Sequence, residues 1–380
     1  MNVLEVNKST IIALIQSAFG MHPQAVSLTR DDIPIIEAFA NQQSILPLII
    51  AGLENMGYSE LLTDSMNTGK LRTTYDYIQR NEALKEISAV LDEAGIDYIP
   101  LKGAVLRNLY PQPWMRTSSD IDILIRETEI QKASKVIEDK TSFHQCLKGF
   151  HDVHYSNNRV HLELHFNLLD DVEGIDRIMQ LAWDYASQSG EGRRYVFSPE
   201  YHLFYIAAHA CKHFIGGGGI GIRPMIDIWL LRTLTVYNEA TVEQLCSDAG
   251  ILKFYQVCGD LLESWFDNKD KSDVVSSFEE LVFSGGVFGS PRSRVLAKRR
   301  KGGKLKYAFS RLFIKNSRLK GVYPICKKYP ILIPFFQIKR WFKLLLPSKQ
   351  RKIRKELKVS QEIQQEEVGK YDALLKDLGL

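Results

Sequence analysis

The stretch from residue 98 to residue 125 constrains the fold of this chain more than any other part of it. It reads YIPLKGAVLRNLYPQPWMRTSSDIDILI, which divides into a strand, a tight turn, a short helix, a loop and a second strand. Because successive side chains of a strand point to opposite faces, Asp120 and Asp122 share one face while Ile121 and Ile123 lie on the other. The pattern therefore predicts two neighbouring carboxylates on a strand whose other face is apolar.

A third carboxylate is predicted on a later strand that reads VHLELHF. His161, Glu163 and His165 share one face of this strand, and apolar residues occupy the other face. The strand at residues 151–156 precedes it, and a polar Asn-Asn-Arg turn joins the two, which favours an antiparallel hairpin. Glu163 therefore projects from a half-buried sheet between two histidines.

These three acids are the predicted metal ligands and catalytic residues. Two ionised carboxylates at close range repel each other unless a cation lies between them. Mg²⁺ is the expected occupant of Asp120 and Asp122, because it prefers oxygen ligands and leaves coordination positions open to water and phosphates. Mn²⁺ is the alternative ion. Glu163 supplies the third acid that a site with two metal ions requires.

The turn at Lys102 and Gly103 is a predicted phosphate site. It ends one strand and begins a helix, so backbone N–H groups are available to an anion, and glycine permits a close approach. Arg116, Ser118 and Ser119 precede the second strand and are further candidates for nucleotide contacts. The alternative for these three residues is an ordinary polar loop before a strand.

Taken in order, LKG at 101–103, SDIDILI at 119–125 and LELHFNL at 162–168 resemble the DNA polymerase β-like nucleotidyltransferase superfamily. The closer resemblance is to a poorly characterised bacterial nucleotidyltransferase family. It implies transfer of a nucleoside monophosphate from a nucleoside triphosphate to a hydroxyl acceptor of unknown identity, with release of pyrophosphate. One departure is that the superfamily usually has a Gly-Ser pair at the turn, whereas here Lys102 precedes a lone Gly103, and lysine commonly binds phosphate.

Histidines supply further candidates at the cleft. His161 and His165 flank Glu163, and His209 and His213 are four residues apart, so they share a face of a predicted helix. Two interpretations of the second pair remain open: it binds a metal ion or a phosphate, or it packs at the edge of the cleft.

The predicted fold class is α+β, with a small mixed β-sheet as a nucleotidyltransferase core, flanked by helices and by N-terminal and C-terminal helical regions. Apolar residues recur at spacings of three and four before residue 95, short β-branched runs follow, and helical spacing returns after residue 171. The predicted regions are an N-terminal helical region (1–80), the core (81–170), a helical region completing the cleft (171–290), a basic, aromatic-rich segment (291–358) and a polar C-terminal helix (359–380).

Positive charge is concentrated in the basic segment at 291–358. It holds 23 Lys or Arg residues and a single acid, Glu356, for a net charge of +22, so the rest of the chain carries −18. Such a positive field attracts phosphate-rich surfaces. Aromatic residues such as Phe335 and Trp341 lie among the cations, which suits an anionic membrane surface or RNA as the partner.

Two alternatives to the transferase on an unknown acceptor remain open. One is a non-catalytic nucleotide- or RNA-binding protein on the same fold, and the other is a toxin-like transferase that acts on transfer RNA. The five cysteines show no metal or disulfide spacing, and the N-terminal residues favour neither a signal peptide nor a spanning helix. We therefore expect a cytoplasmic protein. Peripheral attachment to the inner face of the membrane is a further expectation.

Overall fold

The computed structural model describes most of the chain outside the basic segment. The described residues are 7–149, 151–168, 172–190, 192–217, 219–286, 291–300, 319, 323, 325–344 and 358–380. About half of the segment predicted to bind a membrane or RNA, residues 291–358, therefore lies outside the described residues.

The helices occur in three stretches of the chain. Those before the first strand are α1 (Lys8–Ala18), α2 (Ile33–Gln43), α3 (Leu46–Asn55) and α4 (Asp64–Glu93). Those among the strands are α5 (Gly103–Leu106), α6 (Ile130–Lys140) and α7 (Glu173–Met179). Those after the last strand are α8 (Pro199–Gly217), α9 (Ile222–Leu234), α10 (Glu239–Asp248), α11 (Leu252–Phe266), α12 (Asp273–Ser284), α13 (Pro291–Arg300), α14 (Ile325–Lys328), α15 (Ile333–Leu344) and α16 (Gln365–Asp377).

The strands form a five-stranded mixed sheet and a two-stranded ribbon. The strands are β1 (Tyr98–Leu101), β2 (Asp120–Ile125), β3 (His144–Lys148), β4 (Asp152–Ser156), β5 (His161–His165), β6 (Ala186–Gln188) and β7 (Tyr195–Phe197). The large sheet has the order β1-β2-β5-β4-β3, in which β2 and β5 are parallel and the other neighbouring pairs are antiparallel. The predicted α+β class with a small mixed sheet is confirmed.

The β4–β5 hairpin forms as predicted, but β3 was not expected. In the hairpin His154 lies opposite Glu163, and Ser156 lies opposite His161. The sequence of β3, HQCLK, lacks the alternation of a half-buried strand, because β3 is an exposed edge strand of the sheet. Strand pairing, and not a buried face, places it there.

One face of the sheet packs in a hydrophobic core, and the other face carries polar side chains. Ile121 and Ile123 of β2 and Leu162 and Leu164 of β5 are buried against helices α4 and α6. Because these residues alternate with Asp120, Asp122, His161, Glu163 and His165, the acids and imidazoles project from the opposite face. Helices α8–α13 and α16, together with α1–α3, share a second and larger core.

Local sequence explains the positions of the N-terminal helices. The side chain of Asn7 caps α1 by accepting a hydrogen bond from Ser9 N, and Thr63 caps α4 by accepting one from Met66 N. Helix α3 packs tightly on α1 at Gly52, where an added Cβ would lie 2.1 Å from the carbonyl oxygen of Leu14. Glycine therefore sets the distance between these two helices.

Helix α4 spans the predicted boundary between residues 80 and 81. It runs without a break from Asp64 to Glu93, so the boundary falls inside one helix. Residues Ala83, Ile87 and Leu91 of its second half pack on the sheet. The N-terminal region and the core therefore share one helix. No loop separates them at residue 80.

The C-terminal helix α16 packs on the helical body. Val368, Tyr371, Leu374 and Leu375 are buried in the larger core, and the exposed Arg292 of α13 donates to Glu367. Among the described helices, none combines the length and the apolar composition that crossing a bilayer would need.

Candidate active site

The turn between β1 and α5 brings a cation and a glycine to the polar face of the sheet. Lys102 adopts a positive φ of 45°, which non-glycine residues rarely adopt. A Cβ added to Gly103 would lie 2.8 Å from Nη1 of Arg116 and 3.1 Å from Oγ of Ser118. Glycine at this position therefore lets a guanidinium and a hydroxyl approach the turn.

Asp122 is held between a lysine and a histidine. Its Oδ1 accepts from Nζ of Lys102 at 2.9 Å and lies 3.0 Å from Nε2 of His165. Burial disfavours the charged carboxylate, but the ammonium of Lys102 and the imidazole of His165 outweigh it and hold the pKa of Asp122 well below its usual range. Asp122 is therefore an ionised acid although its side chain is buried.

Asp120 and Glu163 complete a cluster of three acids. In the parallel pairing of β2 and β5, Asp122 lies opposite Glu163 and Asp120 lies opposite His161. Burial raises the pKa of Glu163, and the nearby carboxylates of Asp122 and Asp120 raise it further. Asp122, Glu163 and His165 bring one ligand atom each within 4.8 Å of one another, so a divalent cation could bind there, and the carboxylate oxygens fit Mg²⁺.

Arg116 is fixed by a buried acid from a distant helix. Its Nε and Nη2 donate to the two carboxylate oxygens of Asp227 on α9, at 2.8 and 2.7 Å. The hydroxyl of Tyr110 also donates to Asp227, at 2.9 Å. All three side chains are buried. This bidentate pair leaves Nη1 of Arg116 directed at the Lys102–Gly103 turn.

A cavity of about 300 Å³ lies over the turn and the acids. Seven of the residues predicted from sequence line it, and these are Lys102, Gly103, Arg116, Ser118, Ser119, Asp120 and Asp122. His209 of α8 also lines it, as predicted for the cleft. Ser44, Thr117 and Arg223 line it without having been predicted, and no local sequence signal marks them, because Ser44 and Arg223 come from distant parts of the chain.

The two histidines of α8 form a pair, and His209 of this pair lines the cavity. Nε2 of His209 and Nε2 of His213 are 3.1 Å apart. Burial, followed by the charge of Lys102, lowers the pKa of His209 well below its ordinary value. His209 is therefore a neutral imidazole at the cavity wall, which can donate or accept a hydrogen bond but carries no charge.

A histidine that sequence reasoning missed joins the cluster from β4. Nδ1 of His154 lies 3.4 Å from Oε1 of Glu163 and 3.0 Å from Nε2 of His161. A signal was present in the sequence, because the predicted hairpin and the alternation of HDVHYS place His154 on the face that carries Glu163.

A larger cavity, of about 770 Å³, lies away from the acids. Trp229, Phe266 and Arg232 line it, and Tyr110 borders it. It contains neither the acids nor the Lys102–Gly103 turn, so we assign the candidate active site to the smaller cavity.

We expect Glu163→Gln to stabilise the metal-free protein at neutral pH. A carboxylate whose pKa is raised on folding costs stability above its folded pKa, and the cost disappears below the unfolded value of about 4.3. Glutamine removes the charge and keeps the shape. The melting temperature should therefore rise by about 2 °C at pH 7 and by nothing measurable below pH ~4.

Thermal unfolding in the presence of a chelator measures this difference. The matched control is Glu127→Gln, an exposed acid just after β2, which should leave the melting temperature unchanged at both pH values. A lower melting temperature for Glu163→Gln at pH 7 would show that its contacts to the histidines outweigh repulsion from the other acids.

Comparison with known families gives one match that covers more than half of the chain. A family model described as "Uncharacterised nucleotidyltransferase" matches residues 31–267, which include the turn, all three acids, His209 and Asp227. No curated protein and no solved structure matches the chain significantly.

Proposed function

We infer the activity of this chain from its family: it belongs to the uncharacterised nucleotidyltransferases, and its substrate is therefore a nucleotide. We propose that it transfers a nucleoside monophosphate from a nucleoside triphosphate, with ATP as the first donor to test, to a hydroxyl group. The single observation that carries the proposal is that Asp120 and Asp122 line one cavity with the Lys102–Gly103 turn, while Glu163 lies opposite Asp122 on the neighbouring strand.

In this proposal the triphosphate lies over the turn. The ammonium of Lys102, Nη1 of Arg116 and the hydroxyl of Ser118 border the same space as the backbone of Gly103, and such groups bind phosphate oxygens. Arg223 contributes a further positive charge at the cavity wall. Positioning and charge neutralisation by these groups account for most of the expected rate enhancement.

Asp120, Asp122 and Glu163 would hold Mg²⁺, for which Mn²⁺ could substitute. A bound divalent ion would neutralise charge on the phosphates and lower the pKa of the acceptor hydroxyl. Glu163, whose pKa is raised by burial and by its acidic neighbours, would accept the proton of that hydroxyl. The acceptor oxygen then forms a bond to the α-phosphorus, and the bond from that phosphorus to the bridging oxygen breaks, releasing pyrophosphate.

The proposal is tested by incubating the protein with each α-labelled nucleoside triphosphate, Mg²⁺ and cell extract. Label should appear in one molecular class, and chelator should prevent it. Label in transfer RNA would identify the toxin-like alternative. Calorimetry with the unlabelled nucleotide supplies a second readout, since nucleotide binding without label in any fraction would indicate the non-catalytic alternative.

We further propose that the basic C-terminal segment binds an anionic membrane surface, which would place the acceptor near lipid. In its described part the exposed large apolar side chains are Ile325, Tyr329, Ile331, Phe335 and Ile338. Exposed lysines, Lys328 and Lys339, lie among them. Apolar side chains that insert at the interface, surrounded by cations that attract anionic headgroups, favour lipid over RNA.

The predicted result is co-flotation of the full chain with vesicles of phosphatidylserine and phosphatidylcholine, with weaker binding at high salt. Ile331→Ser should lower the partition coefficient about tenfold, because a large apolar side chain contributes roughly 1.5 kcal/mol or more on burial. Val236→Ser is the matched control, since Val236 is 95% exposed but lies far along the chain from this segment, and Ile331 is 87% exposed. Tight binding to RNA without binding to vesicles would overturn the lipid proposal.

A further inference from the structure

A second cluster of metal-binding side chains lies beside the three acids, on the β4–β5 hairpin. Its members are His154, His161 and Glu163. The three facing atoms are Nδ1 of His154, Nε2 of His161 and Oε1 of Glu163. Two of these donors are imidazole nitrogens, whereas the neighbouring site of Asp120 and Asp122 offers carboxylate oxygens, so the two sites differ in chemistry.

The spacing of the three atoms matches a four-coordinate ion. The two nitrogens are 3.0 Å apart, and they lie 3.4 and 3.6 Å from Oε1 of Glu163. Ligands of a tetrahedral zinc ion with bonds of about 2.0 Å are about 3.3 Å apart, whereas adjacent ligands of octahedral magnesium are about 2.9 Å apart. A point roughly 2 Å from all three atoms lies just off their plane, and this distance is the bond length of zinc to nitrogen and oxygen ligands.

Asp152 orients one of the imidazoles. Its Oδ1 lies 3.2 Å from Nε2 of His154, and this nearby carboxylate favours the tautomer with the proton on Nε2. The other nitrogen of His154, Nδ1, then carries a lone pair directed at Glu163 and His161. A carboxylate behind a metal-binding histidine fixes its tautomer and strengthens it as a ligand.

The cluster is also accessible to a fourth ligand. The side chains of His154, His161 and Glu163 are 17%, 37% and 21% exposed. Three protein ligands with an open position, and in particular two histidines with one glutamate, are typical of zinc ions that take part in reactions. Glu163 can serve both sites, because Oε1 faces the two histidines while Oε2 lies 3.6 Å from His165, which contacts Asp122.

We propose that His154, His161 and Glu163 bind a transition-metal ion, Zn²⁺ in the first instance, beside the Mg²⁺ site of the proposed transferase. Imidazole donors select zinc and similar ions over magnesium, which prefers oxygen. The inference rests on the hairpin geometry and does not require that the nucleotidyl transfer reaction takes place.

The test uses the full chain freed of metal by chelator and titrated with Co²⁺. Cobalt in a four-coordinate site with imidazole ligands absorbs visible light strongly, whereas six-coordinate cobalt absorbs weakly. We expect a strong band that saturates at one equivalent, disappears on addition of one equivalent of Zn²⁺, and persists in excess Mg²⁺. A weak six-coordinate spectrum, or displacement of Co²⁺ by Mg²⁺, would overturn the proposal.

Variants identify the ligands. His154→Gln and His161→Gln should each lower the affinity for Zn²⁺ at least ~100-fold, and Asp152→Asn, which removes only the orienting carboxylate, about tenfold. His22→Gln, in an exposed loop after α1, is the matched control and should change nothing. An unchanged affinity for Zn²⁺ in both histidine variants would contradict the assignment of these residues as ligands.

Two further measurements keep the result clear. X-ray absorption of the zinc-loaded, unsubstituted protein should show two imidazole ligands, which tests the assignment even if a variant does not fold. Asp120→Asn should bind Zn²⁺ normally, because Asp120 is not among these ligands. In the unsubstituted protein, absence of transfer with intact zinc binding would count against the proposed function alone, and absence of zinc binding with intact transfer would count against this inference alone.

Discussion

Asp120→Asn should lower the rate of nucleotidyl transfer on the order of a thousandfold, while the melting temperature stays within about 1 °C of that of the unchanged protein. Asp120 is partly exposed, and the hydrogen bond that the structure gives its carboxylate comes from Oγ of its neighbour Ser119, at 3.2 Å. Asparagine keeps that contact but removes the charge that a divalent ion requires. The rate of transfer of the α-labelled phosphate and a thermal melt together measure the effect.

Glu127→Gln is the control for this substitution, since it also removes one acid near the end of β2 but outside the cavity. Its transfer rate should be that of the unchanged protein. An Asp120→Asn variant with normal transfer would remove the proposed mechanism. Asp122→Asn is a less clean test, because it leaves the partly buried ammonium of Lys102 without its carboxylate partner and so changes folding and chemistry together.

Asp227→Asn should have the largest effect on stability of any single substitution near the site. Asp227 is 4% exposed and accepts two hydrogen bonds from Arg116 and one from Tyr110. Removal of its charge leaves the guanidinium of Arg116 buried without a counter-ion. We expect the free energy of unfolding to fall by about 3–5 kcal/mol, as measured by urea denaturation.

The same substitution should also slow transfer at a temperature where the variant is still folded. Arg116 would lose the contact that directs its Nη1 at the turn, so phosphate binding should weaken. Tyr110→Phe is the graded control, because it removes one hydrogen bond to Asp227 and keeps the ion pair. It should cost about 1–2 kcal/mol and leave transfer nearly normal. If Asp227→Asn unfolds at the same urea concentration as the unchanged protein, the ion pair does not hold Arg116 in place.

Local patterns were sufficient to predict the strands that carry the acids. Alternation in SDIDILI and VHLELHF placed Asp120, Asp122 and Glu163 on the polar face, and the Asn-rich turn gave the β4–β5 hairpin. These features depend on residues within about ten positions of one another, and strand geometry alone determines them. The roles of the three acids in catalysis and metal binding remain predictions.

Contacts between distant segments could not be predicted in the same way. Arg116 and Asp227 belong to a loop and to a helix far apart in sequence, and neither residue has a local pattern that names its partner. The sequence also does not reveal the ion pair of Lys102 with Asp122, since a lysine at a glycine turn indicates a phosphate ligand and its backbone angle is visible only in the structure. Burial decides both pairings, because a buried charge requires a partner.

The parallel pairing of β2 with β5 has a consequence for the order in which the chain becomes active. Asp122 and Glu163 meet across this pairing, which closes a loop of about forty residues and so carries a larger entropic cost than the turn of the β4–β5 hairpin. A growing chain that has emerged only as far as β2 holds Asp120 and Asp122 without a third acid. In the proposed mechanism, the chain therefore becomes active only after these two strands, which are distant in sequence, have paired.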